Sequence, residues 1–394
     1  MNTQTIPAPP MTALADVEPF RISVSPYVIE DLRERLGRAR WPDEVEDSGW
    51  QYGANRDYLT ELCTHWGHGF DWKEQEEQLN TFGHYCTKID GFGLHFIHEQ
   101  GEGDARLPLL LLHGWPDSFA RFLKVIPLLT KRNSQGFSFD VIVPSIPGFG
   151  FSERPGKPGM GVTRIAELFA GLMKKLGYGK YLVHGGDWGT SIAEQLAIGF
   201  PDDLLGMHLT DVPFGHLLRP PEQEVSEAEK KYFAQGRQWQ QDEGAYALLQ
   251  GTKPQTLAYA VNDSPIGLAA WIIEKFYAWS DHPGKLEEVY TRDELLLNLT
   301  IYWVTQTAGS SSRLYYEAMH HPQKQAKGKI ETPTAFCMAP KDILKAPRGF
   351  AERYFDVQQW TELPAGGHFL AMEKPDVLAT DLFRFAEQWV GTRP

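Results

Sequence analysis

Long apolar runs are missing from this chain. No stretch approaches the roughly 20 apolar residues of a membrane span, so a soluble protein without membrane contact is expected. Blocks of positive charge are missing too. Lys and Arg total 38 against 51 Asp and Glu, a net charge of −13, which argues against nucleic acid or an anionic membrane as a partner. Cysteine is scarce. Cys63, Cys86 and Cys337 form no C-x-x-C pair and no metal-ligand spacing. That fits a reducing cytoplasm, and neither metal nor cofactor is expected. The first twenty residues have no basic stretch followed by an apolar core, so no secretory signal is expected. Repeats and low-complexity tracts are also missing.

Apolar residues are plentiful. Hydrophobic residues make up 42% of the 394, and 12% are aromatic, enough for a sizeable globular core. The length exceeds the usual single compact core and suggests a main domain with an insertion or a second domain. Residues 1 to about 19 read as a loose tail. A helix is predicted from Ser25-Pro26, with Ser25 as cap, Pro26 in the first turn, and Val28, Ile29, Leu32 and Leu36 on one face. Residues 82–96 alternate as strands around the turn "DGFG", Asp90 to Gly93.

From residue 107 strands and helices alternate: "LPLLLLHG", "FDVIVPSIPGFG", "TRIAELFAGLMKKLGYG", "KYLVHGG", "TSIAEQLAIGF", "LLGMHL". Such alternation predicts a mostly parallel sheet covered by helices. "TPTAFCMA" and "QQWTEL" read as two more strands, with a last helix from about Lys374. Between them, residues 215–312 turn helical and rich in Trp and Tyr. An insertion there is expected to be a lid over the carboxyl ends of the strands, where open α/β sheets place ligands.

Four short stretches carry chemistry. "GGDWG", Gly185 to Gly189, has the frame of a nucleophile elbow with Asp187 at its apex. Small neighbours allow the tight strand-to-helix turn, and the following helix N-terminus favours an anion. An ordinary helix N-cap is the plainer reading of Asp187 taken alone. "HGWPDSF" follows the Leu-rich strand, where a loop can supply one backbone N–H of an oxyanion hole. The donors would be the amides of Trp115 and Trp188. His113, Pro116 and Phe214 are candidates for the pocket wall, with His113 read as structural rather than catalytic. Asp117 is expected to cap the helix that follows. "APKD" ends at Asp342 and "GGHF" contains His368, each just after a predicted strand. The order Asp187, Asp342, His368 matches nucleophile, acid and base.

A carboxylate nucleophile suits a saturated electrophilic carbon, as in a strained epoxide or an alkyl halide, and forms an ester that a His–Asp pair can hydrolyse. An epoxide oxygen also needs a proton, and a neutral phenol supplies one. Tyr232, Tyr246, Tyr259, Tyr277, Tyr290, Tyr302, Tyr315 and Tyr316 lie in or near the lid, and spacing alone does not choose among them.

"LLHGWP", "VPSIPGFGFS", "GGDWG", "AGGHF" and the segment "FDWKEQEEQLNTFGHYCTKIDGFGLHFIH" together resemble the microsomal-type epoxide hydrolases and their soluble fungal and bacterial relatives. The resemblance covers the chain from about Phe20 onward. It implies an α/β-hydrolase fold with residues 1–95 as an N-terminal extension, 96–214 and 313–394 as core, and 215–312 as lid. It also implies Asp187 as nucleophile, His368 as base, Asp342 as its charge partner, and Tyr246 and Tyr315 as proton donors. Tyr316 is the rival of Tyr315. Asp117 and Arg121 depart from the family pattern. The implied substrate is a small apolar or aryl epoxide, without cofactor, and a homodimer is plausible by analogy. A dehalogenase using the same aspartate is the alternative, and a non-catalytic binding protein on the same fold is the third.

Overall fold

The computed structural model describes residues 16–219, 221, 224–321 and 323–390. Its centre is a nine-stranded sheet. The strands are β1 (Val17–Pro19), β2 (His84–Ile89), β3 (Phe92–Glu99), β4 (Arg106–Leu112), β5 (Ser138–Pro144), β6 (Tyr181–Gly185), β7 (Leu204–Leu209), β8 (Ile330–Met338) and β9 (Phe355–Glu362). Their order across the sheet is β1-β2-β3-β5-β4-β6-β7-β8-β9. From β5 to β9 all neighbours are parallel, and β1, β2 and β3 add an antiparallel edge.

Sequence dictates this layering directly. Leu109 to Leu112 and Val141 to Val143 have no exposed surface, as expected for parallel strands covered on both faces. Helix Val162–Lys175 buries Ile165, Leu168, Phe169, Leu172 and Met173 on its sheet-facing side, and each such side chain contributes about 1.5–3 kcal/mol by leaving water. The turn between β2 and β3 narrows to Asp90 and Gly91, with φ of 49° and 80°. Two left-handed residues in a two-residue hairpin match the strand twist, which is why Asp-Gly works there.

Three expected boundaries shift. Residues 1–15 of the expected tail lie outside the described residues, but Val17–Pro19 is a strand paired with β2. The division at residue 95 falls inside β3, because the N-terminal segment shares the main sheet. The division at 312 falls inside helix Ala308–His320, which packs on helices Ala245–Thr252 and Pro254–Val261 of the lid. The insertion between β7 and β8 therefore carries Tyr315 as well as Tyr246.

Two lid helices begin with reciprocal capping boxes, Ser226 with Glu229 and Thr291 with Glu294. The N-terminal helices Pro26–Gly37 and Arg56–His68 pack against the lid helix Pro265–Trp279, and Arg56–His68 also against Arg292–Thr305. Trp66 donates its indole N–H to Thr300 Oγ1 at 2.8 Å, and His65 lies 2.7 Å from Asp293.

Candidate active site

The turn after β6 places Asp187 at φ 57°, ψ −126°, a left-handed conformation that costs a non-glycine residue about 1–3 kcal/mol. Close approach around it explains the glycines. A Cβ on Gly185 would meet the Gly189 backbone at 2.4 Å, and one on Gly189 would meet Leu112 O at 2.2 Å. The carboxylate does not cap the helix Trp188–Gly199 that follows it, so the plain N-cap reading fails. Instead, Oδ1 accepts the backbone N–H of Trp115 at 2.8 Å. Trp188 contributes the first residue of that helix.

His368 faces Asp187 from a loop beyond β9. Its Nε2 lies 3.5 Å from Asp187 Oδ2, and its Nδ1 hydrogen-bonds Asp342 Oδ1 at 2.7 Å. Asp342 follows β8, so three neighbouring regions of one sheet edge bring the three side chains together. Burial lowers the tendency of His368 to hold a proton. The Asp342 and Asp187 charges outweigh burial and lift its pKa to about 10.

Tyr246 and Tyr315 form the roof. Their rings lie 5.9 Å apart. Tyr246 stacks on Trp115 at 5.1 Å, and Tyr315 stands edge-on to Trp188 at 4.8 Å. Burial, with the nearby Asp187 charge, raises both phenols above their ordinary range, so both are neutral donors near neutral pH. Tyr316 points the other way. It is 37% exposed and stacks on His320. Of the remaining five tyrosines, Tyr302 donates to Asp117 O, Tyr290 bonds Ser280, Tyr277 stacks on Trp50, Tyr232 packs on Phe350, and Tyr259 is exposed.

The pocket-wall candidates divide. His113 is fully buried, with Nε2 accepting from Ile146 N and Nδ1 bonding Gly114 O. It ties the loop after β4 to the loop after β5. Pro116 is buried, and its carbonyl accepts from Asn298 Nδ2 at 2.8 Å. Phe214 opens the first lid helix and packs edge-on to Trp239, whose ring is 6.3 Å from Tyr246. Asp117 does not cap; Ser118 does, accepting from Ala120 N. Asp117 instead accepts Gly114 N and pairs with Arg121 in a fully buried ion pair.

Several supporting residues escaped the sequence reading. Arg121 also donates Nη2 to His368 O at 2.7 Å. Glu373 accepts the amides of Gly367 and Phe369 at 2.8 and 3.0 Å, on either side of His368. Gly367 leaves no room for a Cβ, which would sit 2.5 Å from Trp279 O. Asp211, just past β7, lies between the ends of β6 and β8. Burial and the Asp342 charge push its carboxyl well above the usual range. Only an acidic residue two places after a strand signalled it. The described cluster of His208, Cys337 and Asp381 lies elsewhere, and Asp381 already bonds His208, Thr361 and Gln359.

The parallel sheet, the elbow and the lid define the α/β-hydrolase class, and a family model for the alpha/beta hydrolase fold matches residues 108–375. A second model, the epoxide hydrolase N terminus, matches residues 17–122. The chain is 36% identical over 406 residues to epoxide hydrolase 1 of Oryctolagus cuniculus, covering 94% of this chain and 88% of that one. Its structure is similar to that of Aspergillus niger epoxide hydrolase, with a TM-score of 0.84 and 31% identity over 96% of this chain and 98% of the other. It is also similar to the juvenile hormone epoxide hydrolase of the silkworm Bombyx mori, with a TM-score of 0.83 and 31% identity over 96% and 95%. This protein belongs to the epoxide hydrolase family, a family of enzymes acting on epoxides. Among the described residues no helix is long and apolar enough to cross a membrane.

Proposed function

We propose that this enzyme converts a small apolar or aryl epoxide to a vicinal diol through an ester on Asp187. The observation that carries this reading is the placement of Asp187, His368 and Asp342 beneath two neutral phenols. In the first step an Asp187 oxygen attacks a ring carbon and the carbon–oxygen bond breaks. The epoxide oxygen takes a proton from Tyr246 or Tyr315, leaving a phenolate. In the second step His368 removes a proton from water, and the hydroxide attacks the ester carbonyl. The amides of Trp115 and Trp188 hold the oxyanion. The departing alkoxide takes the proton from the imidazolium. The new Asp187 carboxyl gives its proton to the imidazole, which restores the carboxylate and imidazolium of the free enzyme.

Charge orders these steps. While Asp187 is anionic it keeps His368 protonated. Once it is esterified, that charge is gone, the imidazolium passes its proton to the phenolate, and the neutral imidazole then acts as base. Aromatic neighbours such as Trp115, Trp279 and Phe214 favour an apolar substrate. A halide would need N–H donors rather than phenols at the roof.

The test is a single turnover in H₂¹⁸O with styrene oxide and a haloalkane panel. The expected result is an unlabelled first-turnover diol and label in the Asp187 carboxylate. Label appearing directly in the first diol would overturn the covalent route. Halide release without diol formation would overturn the substrate class.

A further inference from the structure

A buried lysine stands behind the roof of the site. Lys275 lies in helix Pro265–Trp279, and its side chain is 8% exposed. Its Nζ sits 4.9 Å from the centre of the Tyr246 ring and 5.7 Å from that of Trp279. Glu274 pairs with it at 2.5 Å, and Glu243 lies 3.8 Å away. Ion pairing alone does not require the ammonium to face two aromatic rings. It also does not require burial, because both glutamates keep more exposure than the lysine, 22% and 37%.

We propose that Lys275 is a positioning residue that acts through Tyr246, favouring loss of its phenolic proton when the epoxide ring opens. This rests on the reading of Tyr246 as a proton donor. A neutral phenol offers a cation only the ring quadrupole. A phenolate offers a full negative charge, part of it spread over the ring that the ammonium faces. The attraction therefore grows as the proton leaves, and such differential stabilisation speeds a step. Burial and the charges of Asp187, Glu274 and Glu243 oppose ionisation of Tyr246, while its hydrogen bond with Tyr315 favours it. Among these neighbours Lys275 supplies the opposite sign. Removing it would leave two carboxylates uncompensated behind the proton donor.

The experiment uses rapid quench with styrene oxide and intact-mass detection of the ester adduct, which separates ester formation from ester hydrolysis. Lys275→Met is expected to slow ester formation roughly 10- to 100-fold, the size expected when a unit charge is lost near 5 Å in a partly screened interior. Hydrolysis of the accumulated ester should change less than about twofold, and so should KM once corrected for the slower step. Lys275→Arg should recover most of the rate. In a Tyr246→Phe background Lys275→Met should have little further effect. Glu274→Gln, which keeps the cation and removes an opposing charge, should speed ester formation, and it tests the idea even if Lys275→Met does not fold. Equal slowing of both steps, the same loss in the Tyr246→Phe background, or a slower Glu274→Gln enzyme would overturn the proposal. If the wild-type enzyme forms no adduct, the functional reading itself fails; if it does and only the Lys275 variants are indifferent, this inference alone fails.

Discussion

Arg121→Met isolates the buried device that holds the His368 loop. Arg121 and Asp117 are 2% and 1% exposed as side chains, and they pair with each other. Burial pushes the Asp117 carboxyl up, but the Arg121 guanidinium and His113 pull it below the ordinary range, so it is ionised. Removing the guanidinium leaves a buried carboxylate supported by Gly114 N. Breaking such a pair from one side costs about 3–5 kcal/mol, a large share of the roughly 5–15 kcal/mol that holds a domain folded. The same substitution takes the donor from His368 O. Asp117→Leu combined with Arg121→Met removes both charges. It leaves His368 O and Gly114 N without partners, at about 1–3 kcal/mol each, and should still be less destabilised than Arg121→Met, which carries the unpaired buried charge as well as the lost carbonyl partner. Urea denaturation followed by tryptophan fluorescence measures both.

Acid gives the sign a second test. In Arg121→Met the folded-state pKa of Asp117 rises, so the folded state gains protons and its stability increases as pH falls. In the wild type the depressed pKa acts the other way, and its contribution is lost as pH falls through the folded value. The gap between the two proteins should therefore narrow from pH 7 towards pH 5. A loss below 1 kcal/mol for Arg121→Met, a double variant as unstable as the single one, or a gap that widens in acid would refute the argument.

Two further outcomes follow from the site. Tyr315→Phe should slow ester formation by about 10- to 100-fold in single-turnover assays, whereas Tyr316→Phe should stay within about twofold, because Tyr316 faces solvent beside His320. NMR titration of the imidazoles should find His368 protonated up to about pH 10 in the free enzyme and at a lower pKa in Asp187→Asn. Because the folded value is raised, its pairing contribution to stability is complete below the unfolded value of about 6.5 and is lost as pH rises through about 10. Equal values in the two proteins would contradict the proposed ordering of the steps.

Much of this was legible because it is local. The elbow "GGDWG", the Leu-rich strand and the period of helix Val162–Lys175 each carry their own explanation within a dozen residues. Chain order then placed Asp342 and His368 after successive strands, and a parallel sheet turns that order into proximity. What stayed hidden depends on residues distant in sequence. Asp117 looked like a cap because its partner four residues on was not recognised as an equally buried cation, and because its neighbour Ser118 takes the cap. Tyr315 and Tyr316 are adjacent, and only the packing of helix Ala308–His320 decides which ring turns inward. Glu373 lies five residues past His368, but only the fold of the loop aims its carboxylate at two amides.

The electrostatics of the site also explain why so many of its supports are charged although the pocket is aromatic. Asp187, Asp342 and Asp211 gather at one end of three adjacent strands, and like charges in a partly buried space repel. His368 offsets one of them by holding a proton. Asp211 relieves another, because burial and Asp342 keep it neutral. Arg121 acts one layer below, where it neutralises Asp117 and also fixes the His368 carbonyl. Lys275 acts one layer above, behind Tyr246. The proposed reaction moves a charge upward, from Asp187 to a phenolate, and then returns it. A cation beneath the base and another behind the acid bracket that path, so each step ends with its new charge beside a group of opposite sign.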